Sequence, residues 1–152
     1  MRTLGNIIWH FPFLGFLTAF WTFIIGCILV LTIIGSPIGL GLIQLSKFLL
    51  TPFSASMIPK SDLKSNQNKL WRAYGFIIRI IYFPIGLILA IVTICQIIGL
   101  CISIIGIPVA LVLAKSLGTY FNPVNKVCVP IEVEDEIYRR KARIRVDKQS
   151  IR

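Results

Sequence analysis

Apolar positions in this chain do not alternate or form a narrow stripe; they run together in long stretches. From Thr3 to Ser46 there are 44 consecutive positions without a formal charge, and from Ile80 to Ala114 another 35. A helix that crosses a bilayer needs about 20 apolar residues, so each stretch suits two crossings better than one. Each is also interrupted once, by Thr32-Ile33-Ile34-Gly35-Ser36-Pro37 in the first and by Ser103-Ile104-Ile105-Gly106-Ile107-Pro108 in the second. Glycine with proline two positions on joins the freest backbone to a residue that lacks an amide donor, and a helix ends or kinks there. Gly35, Pro37, Gly106 and Pro108 are therefore expected as helix breaks at the bends of two membrane hairpins.

The segments between these marks predict the other elements. Arg2 to Pro12 mixes a cation, polar groups and aromatics, an interfacial approach with Trp9 and Phe11 at headgroup level. Pro12 is suited to open the helix that follows, and Phe13–Ile34 is long enough for a first span. Ile38–Leu50 holds Gln44 and Lys47 and extends only about 20 Å as a helix, short of a hydrocarbon core of about 30 Å. It is either a re-entrant half-span or, the reading adopted here, a complete crossing that continues past a snorkelling Lys47 to Ile58. A third span is expected from near Pro84 to Ile105, and a fourth, carrying Lys115, over Val109–Phe121. The predicted fold is an all-α membrane protein of four transmembrane segments. Its hairpins occupy 1–58 and 72–123, with a basic aqueous loop over 59–71 and a charged tail over 124–152.

The two halves share their punctuation. Arg2, Gly5, Ile7 and Ile8 recur as Arg72, Gly75, Ile77 and Ile78 at a spacing of 70; Thr32–Pro37 recurs as Ser103–Pro108 at 71, as do Pro52 and Pro59 in Pro123 and Pro130. Chance resemblance between apolar segments does not keep glycine, proline and arginine in register, so a tandem repeat is expected. Two crossings per copy give both copies the same orientation, related by a pseudo-twofold along the membrane normal.

Composition strengthens this picture. The 152 residues are 56% hydrophobic with a mean hydropathy of +0.83, a membrane protein's profile. Apolarity runs far beyond the roughly 7–15-residue core of a cleaved signal peptide, so the N-terminus reads as retained. Sixteen basic residues against six acidic ones would suggest nucleic acid in a soluble protein. Here the cations flank apolar runs, which argues against a nucleic-acid partner and for a topology signal. Arg2, the Lys60–Arg72 segment and the tail from Lys126 are basic while both bends are uncharged, placing both termini and the middle loop in the cytoplasm. In the tail Glu132, Glu134, Asp135 and Glu136 precede Arg139, Arg140, Lys141, Arg143 and Arg145, an order that complements a helix dipole and predicts a short cytosolic helix.

Candidate chemistry is sparse. Cys27, Cys95, Cys101 and Cys128 form no CxxC pair, and with His10 as the sole histidine neither a metal nor a cofactor is expected. One acid precedes the tail, so converging catalytic groups are not expected and the chain is not read as an enzyme. Lys47, Arg79 and Lys115, with Gln44, Ser46, Gln96 and Ser116 near them, are the polar residues of the apolar segments. Cations there are candidates for an ion path or for lipid headgroups, though all three lie close enough to a membrane surface to snorkel. Gly35-x-x-x-Gly39 and Gly106-x-x-x-Ala110 also have the spacing that lets membrane helices pack closely.

The Arg-x-x-Gly-x-Ile-Ile opening, the block Cys101–Val109 with its counterpart Thr32–Pro37, and Lys47 and Lys115 ahead of Pro52 and Pro123 together resemble the YccF family. That resemblance implies two copies of an inner-membrane component domain in a bacterial inner membrane and carries no catalytic or binding residue. Two functions follow as expectations. The first is an oligomeric channel or passive transporter for small ions, anions preferred, with Lys47 and Lys115 around a common axis of a homo-oligomer and Arg79 as a further cation attracting the ion. The second is a non-enzymatic accessory or scaffold protein that binds another membrane protein or anionic lipid.

Overall fold

The computed structural model describes residues 2–11, 15–63 and 69–150. Expectations for Pro12, Phe13 and Lys64 fall outside that set. Most of the described chain is helical: α1 (Arg2–His10), α2 (Gly15–Leu31), α3 (Ser36–Leu50), α4 (Lys69–Ile102), α5 (Ile107–Phe121) and α6 (Ile131–Ser150). Two short strands, β1 (Ala55–Pro59) and β2 (Lys126–Pro130), and a 3₁₀ turn over Lys60–Leu63 complete it.

The breaks fall where glycine and proline stand. Gly35 is the N-cap of α3 and Gly106 that of α5, and each helix has its proline in the first turn, where a missing amide removes no intrahelical bond. The C-terminal turns differ: the Thr51 amide donates to the Phe48 carbonyl three residues back, and the Asn122 amide to the Gly118 carbonyl four residues back. Each helix has 15 residues and each strand five, and α3–β1 and α5–β2 begin and end 71 residues apart.

Two sequence expectations are corrected here. The second leg does not continue as a helix to Ile58. It stops at Leu50, Pro52 follows, and Ala55–Pro59 is strand. Nor does the third helix start near Pro84. It runs continuously from Lys69 to Ile102 with Pro84 inside, because losing the one bond to the Ile80 carbonyl is tolerated where the other backbone pairs hold. Ala73–Ile102 of this helix is long and apolar enough to cross a membrane by length and composition, whereas Gly15–Leu31, Ser36–Leu50 and Ile107–Phe121 are shorter. Trp9 is 4% exposed in the core beside Leu45, Phe48 and Leu49, and its indole Nε1–H donates to the Leu49 carbonyl at 2.8 Å.

Only one stripe of α4 is covered: Ile78, Tyr82, Ala90 and Thr93 are buried at helical spacing, while Ile77, Ile80, Ile81, Phe83, Ile88 and Ile91 are more than half exposed. A soluble helix buries its apolar face; this one turns it outward, and α2 does the same through Phe16, Phe20 and Trp21. Such a surface belongs in lipid.

Helices α2 and α3 approach through glycines in antiparallel register. Gly26 faces Ile43, and a Cβ on Gly39 would come 2.6 Å from the Gly26 carbonyl and 2.7 Å from the Val30 amide. The halves meet reciprocally. Gly41 in mid-α3 lies against the Pro123 carbonyl just past α5, and Lys115 in mid-α5 donates to the Pro52 carbonyl just past α3, at 3.2 Å.

Above this crossing β1 and β2 pair antiparallel, with Met57 opposite Cys128, Ala55 opposite Pro130 and Pro59 opposite Lys126. Met57 and Cys128 are themselves 71 residues apart, so a local dyad passes between them. The flanking bonds obey it as well: the Lys60 amide donates to the Asn125 carbonyl (2.8 Å) and the Ile131 amide to the Ser54 carbonyl (3.2 Å).

These contacts yield a graded prediction. Gly41→Leu would drive its side chain into the Pro123 backbone and is expected to abolish the monodisperse folded species in detergent. Gly99→Ala meets nothing within 4 Å and is expected to stabilise its helix by about 0.5–1 kcal/mol. Thermal unfolding of the detergent-solubilised proteins checks both, and equal tolerance of the two would refute the packing.

Candidate functional site

The three cations singled out in the sequence stand beside the β1–β2 ribbon, at three separate places. Lys47, exposed one turn before α3 ends, lines a shallow pocket of about 490 Å³ with Thr51, Ser54, Cys128 and Glu132. Burial pushes the Cys128 thiol above its ordinary range, and the Lys47 ammonium partly offsets this. Lys115, besides its bond to the Pro52 carbonyl, lies 6.0 Å from the centroid of the Phe53 ring, within cation–π range.

Arg79 borders a different and larger cavity, of about 670 Å³, between the first turns of α4 and the entry to β2. Lys126, Asn122, Asn125, Ser61 and Phe76 line it as well. Asn125 adopts φ 59°, a left-handed conformation that asparagine tolerates better than most residues, and turns the chain from α5 into β2. Burial lowers the Lys126 pKa, the Asp62 carboxylate works against that, and the Arg79 guanidinium adds to it.

Lys47 and Lys115 are not counterparts. A spacing of 71 relates Lys115 to Gln44 and Lys47 to Gly118. Gln44 Oε1 accepts the Cys128 amide at 3.2 Å while Lys115 bonds Pro52, so corresponding positions reach across the dyad with different chemistry. Within one protomer the two ammonium groups do not share a site. Ser46 and Ser116 are buried and bond carbonyls of their own helices, which satisfies a hydroxyl without building a site. Gln96 is exposed on α4.

His10 and Asn6 hold α1 to the end of α3. His10 Nε2–H donates to the Leu50 carbonyl at 2.7 Å, and Asn6 donates to Ser54 Oγ (3.1 Å) and accepts the Phe53 amide (3.1 Å). Tyr74 at the start of α4 donates its hydroxyl to the Ile33 carbonyl at the first bend, at 2.6 Å. Over the ribbon, Lys141 of α6 pairs with Asp62 at 2.7 Å. No group of three or more metal-ligating side chains occurs among the described residues.

Sequence reasoning missed Lys126, Asn122 and Asn125. It took Lys126 as one more tail cation; the signal was the Asn-Pro-Val-Asn turn just before it, whose asparagines the cavity uses.

An outward-facing apolar helical bundle with its polar groups gathered beside one ribbon is the form of a membrane protein. In agreement, residues 4–55 match the model of the YccF family, described as an inner membrane component domain. The matched stretch runs from α1 to the first residue of β1. No curated protein and no solved structure matches the chain.

Proposed function

We propose that this chain is a non-enzymatic accessory protein of the bacterial inner membrane, built from two copies of one helix–bend–helix–strand unit, whose ribbon lies at the cytoplasmic headgroup level and contacts anionic lipid. The observation that carries the reading is the placement of Lys47, Lys115 and Arg79: all three are exposed and border the ribbon or its approaches. Cations so placed attract anionic lipid at about 1 kcal/mol each. The matching spacing of α3–β1 and α5–β2, and the pairing of Met57 with its own counterpart Cys128, support the duplication. A ribbon lying flat on the membrane has its dyad along the normal, which leaves both halves in the same orientation and keeps α6 and both termini on one side.

Four apolar segments enter the membrane in this reading, as two hairpins, α2–α3 and α4–α5. The short legs α3 and α5, 15 residues each, measure about 22 Å and fall short of a core of about 30 Å. The bends have no charge, and Ile33 and Ile104 at their tips are 86% and 85% exposed. The first bend is also tied by Tyr74 to the start of α4, where the neighbouring Gly75 lies against Asn125 at the ribbon. Together these favour re-entrant hairpins whose tips stay in hydrocarbon over complete crossings with tips in the periplasm.

An ion path is the less supported function. It requires an assembly that brings Lys47 and Lys115 to one axis, and within the protomer Lys47 lies near Cys128 whereas Lys115 lies on Pro52 and Phe53.

Two measurements test these readings. In proteoliposomes the protein is expected to pass chloride and potassium no faster than protein-free vesicles, and to retain phosphatidylglycerol over phosphatidylethanolamine on extraction. Chloride flux that disappears in Lys47→Ala/Lys115→Ala would establish the channel instead. For topology, Ile33→Cys and Ile104→Cys in a cysteine-free background are expected to resist a membrane-impermeant maleimide in intact spheroplasts and in inverted vesicles alike. Labelling in spheroplasts would show that the bends reach the periplasm.

A further inference from the structure

The cavity beside α4 has properties that the Lys47 and Lys115 surroundings lack. It brings two cations, Arg79 and Lys126, to one space of about 670 Å³, within the size range of small-molecule sites. The acid nearest in effect, Asp62, is already engaged by Lys141 at 2.7 Å, and among the described residues neither Arg79 nor Lys126 has an ion-pair partner within 4 Å. Lys126 is partly desolvated, and Asp62 attracts its charge while Arg79 repels it. Two neighbouring cations of which one is desolvated hold unfavourable charge that an anion would relieve.

Asn122 lines the same cavity beside the two cations. A ligand that suits both cations carries a phosphate for the guanidinium and the ammonium. The walls say where the remainder of the ligand lies. Phe76 lines the cavity, and Phe76, Ile77 and Ile80 are 55–62% exposed around Arg79 on α4, an apolar track that continues along the helix into the lipid-facing surface.

We propose that Arg79 and Lys126, with Asn122 beside them, form a headgroup site for an anionic phospholipid, its phosphate between the two cations and its acyl chains along α4. This rests on the ribbon's lying at headgroup level, and it adds a defined site to what would otherwise be diffuse attraction. Arginine and lysine divide the work as elsewhere, the guanidinium giving paired donors to phosphate oxygens and the ammonium a point charge.

Native mass spectrometry of the whole chain in mild detergent, titrated with phosphatidylglycerol, phosphatidylethanolamine or glycerol 1-phosphate, tests the site. The wild type is expected to take one phosphatidylglycerol per protomer ahead of the others. Arg79→Gln/Lys126→Gln is expected to weaken that binding at least tenfold, and Lys47→Gln/Lys115→Gln less than threefold. Asn122→Asp, which keeps both cations and adds a repelling charge, is expected to weaken it as well and serves if the double variant unfolds. Equal weakening by both lysine- and arginine-directed pairs, or none by Asn122→Asp, would overturn the site while leaving general anionic-lipid contact standing. Glycerol 1-phosphate binding as tightly as the lipid would overturn the phospholipid assignment in favour of a soluble phosphate ester. No preference for phosphatidylglycerol in any form would overturn both the site and the reading beneath it.

Discussion

Backbone pairing at the ends of the two short helices is the constraint on which this structure depends. A chain that leaves a helix in or near hydrocarbon must find partners for its amides and carbonyls, since lipid offers none. Here α3 and α5 both stop at a turn followed by proline, and the freed chain of each half is satisfied by the other in the β1–β2 ribbon. The same junction sets the packing below: Gly41 admits the Pro123 carbonyl, and Lys115 caps the Pro52 carbonyl. Neither half has this arrangement alone. The sheet exists only as a pairing between the halves, and their mutual position follows from it.

Once that junction is in place the distribution of polarity follows. Apolar side chains of α2 and α4 have no protein to bury against and face outward. Polar and charged groups collect around the ribbon, where α6 returns over the surface through Lys141 and Asp62. A cavity forms where α4 passes the turn into β2, and Arg79 and Lys126 both line it.

Much of the helical plan was legible in the sequence, because glycine and proline act locally. Gly35 with Pro37 and Gly106 with Pro108 begin helices where their backbone chemistry requires, and the acid-then-base order of the tail predicts a short helix where one of 20 residues, Ile131–Ser150, forms. The ribbon was not legible. Ala-Ser-Met-Ile-Pro and Lys-Val-Cys-Val-Pro are each too short to announce a strand, and their strand state comes from a partner about 70 residues away. Pro84 misled because a proline's local effect was taken as a boundary when the helix on either side of it was long enough to continue. Of the site, Arg79 was visible as an isolated cation in an apolar run. Lys126 and Asn122 became site residues only when the turn at Asn125 folded them toward α4.

The ribbon itself is open to a direct test. The flanking bonds of Lys60 with Asn125 and Ile131 with Ser54 make every second pair hydrogen-bonded, and Met57 opposite Cys128 falls between them as a non-hydrogen-bonded pair. Such pairs hold their Cα atoms about 4.5 Å apart, within disulfide range. With Cys27, Cys95 and Cys101 replaced by alanine, Met57→Cys is expected to join the native Cys128 under mild oxidation in native membranes, giving a faster-migrating monomer on non-reducing gels. Linkage only between chains, or free thiols at both positions after oxidation, would contradict the junction.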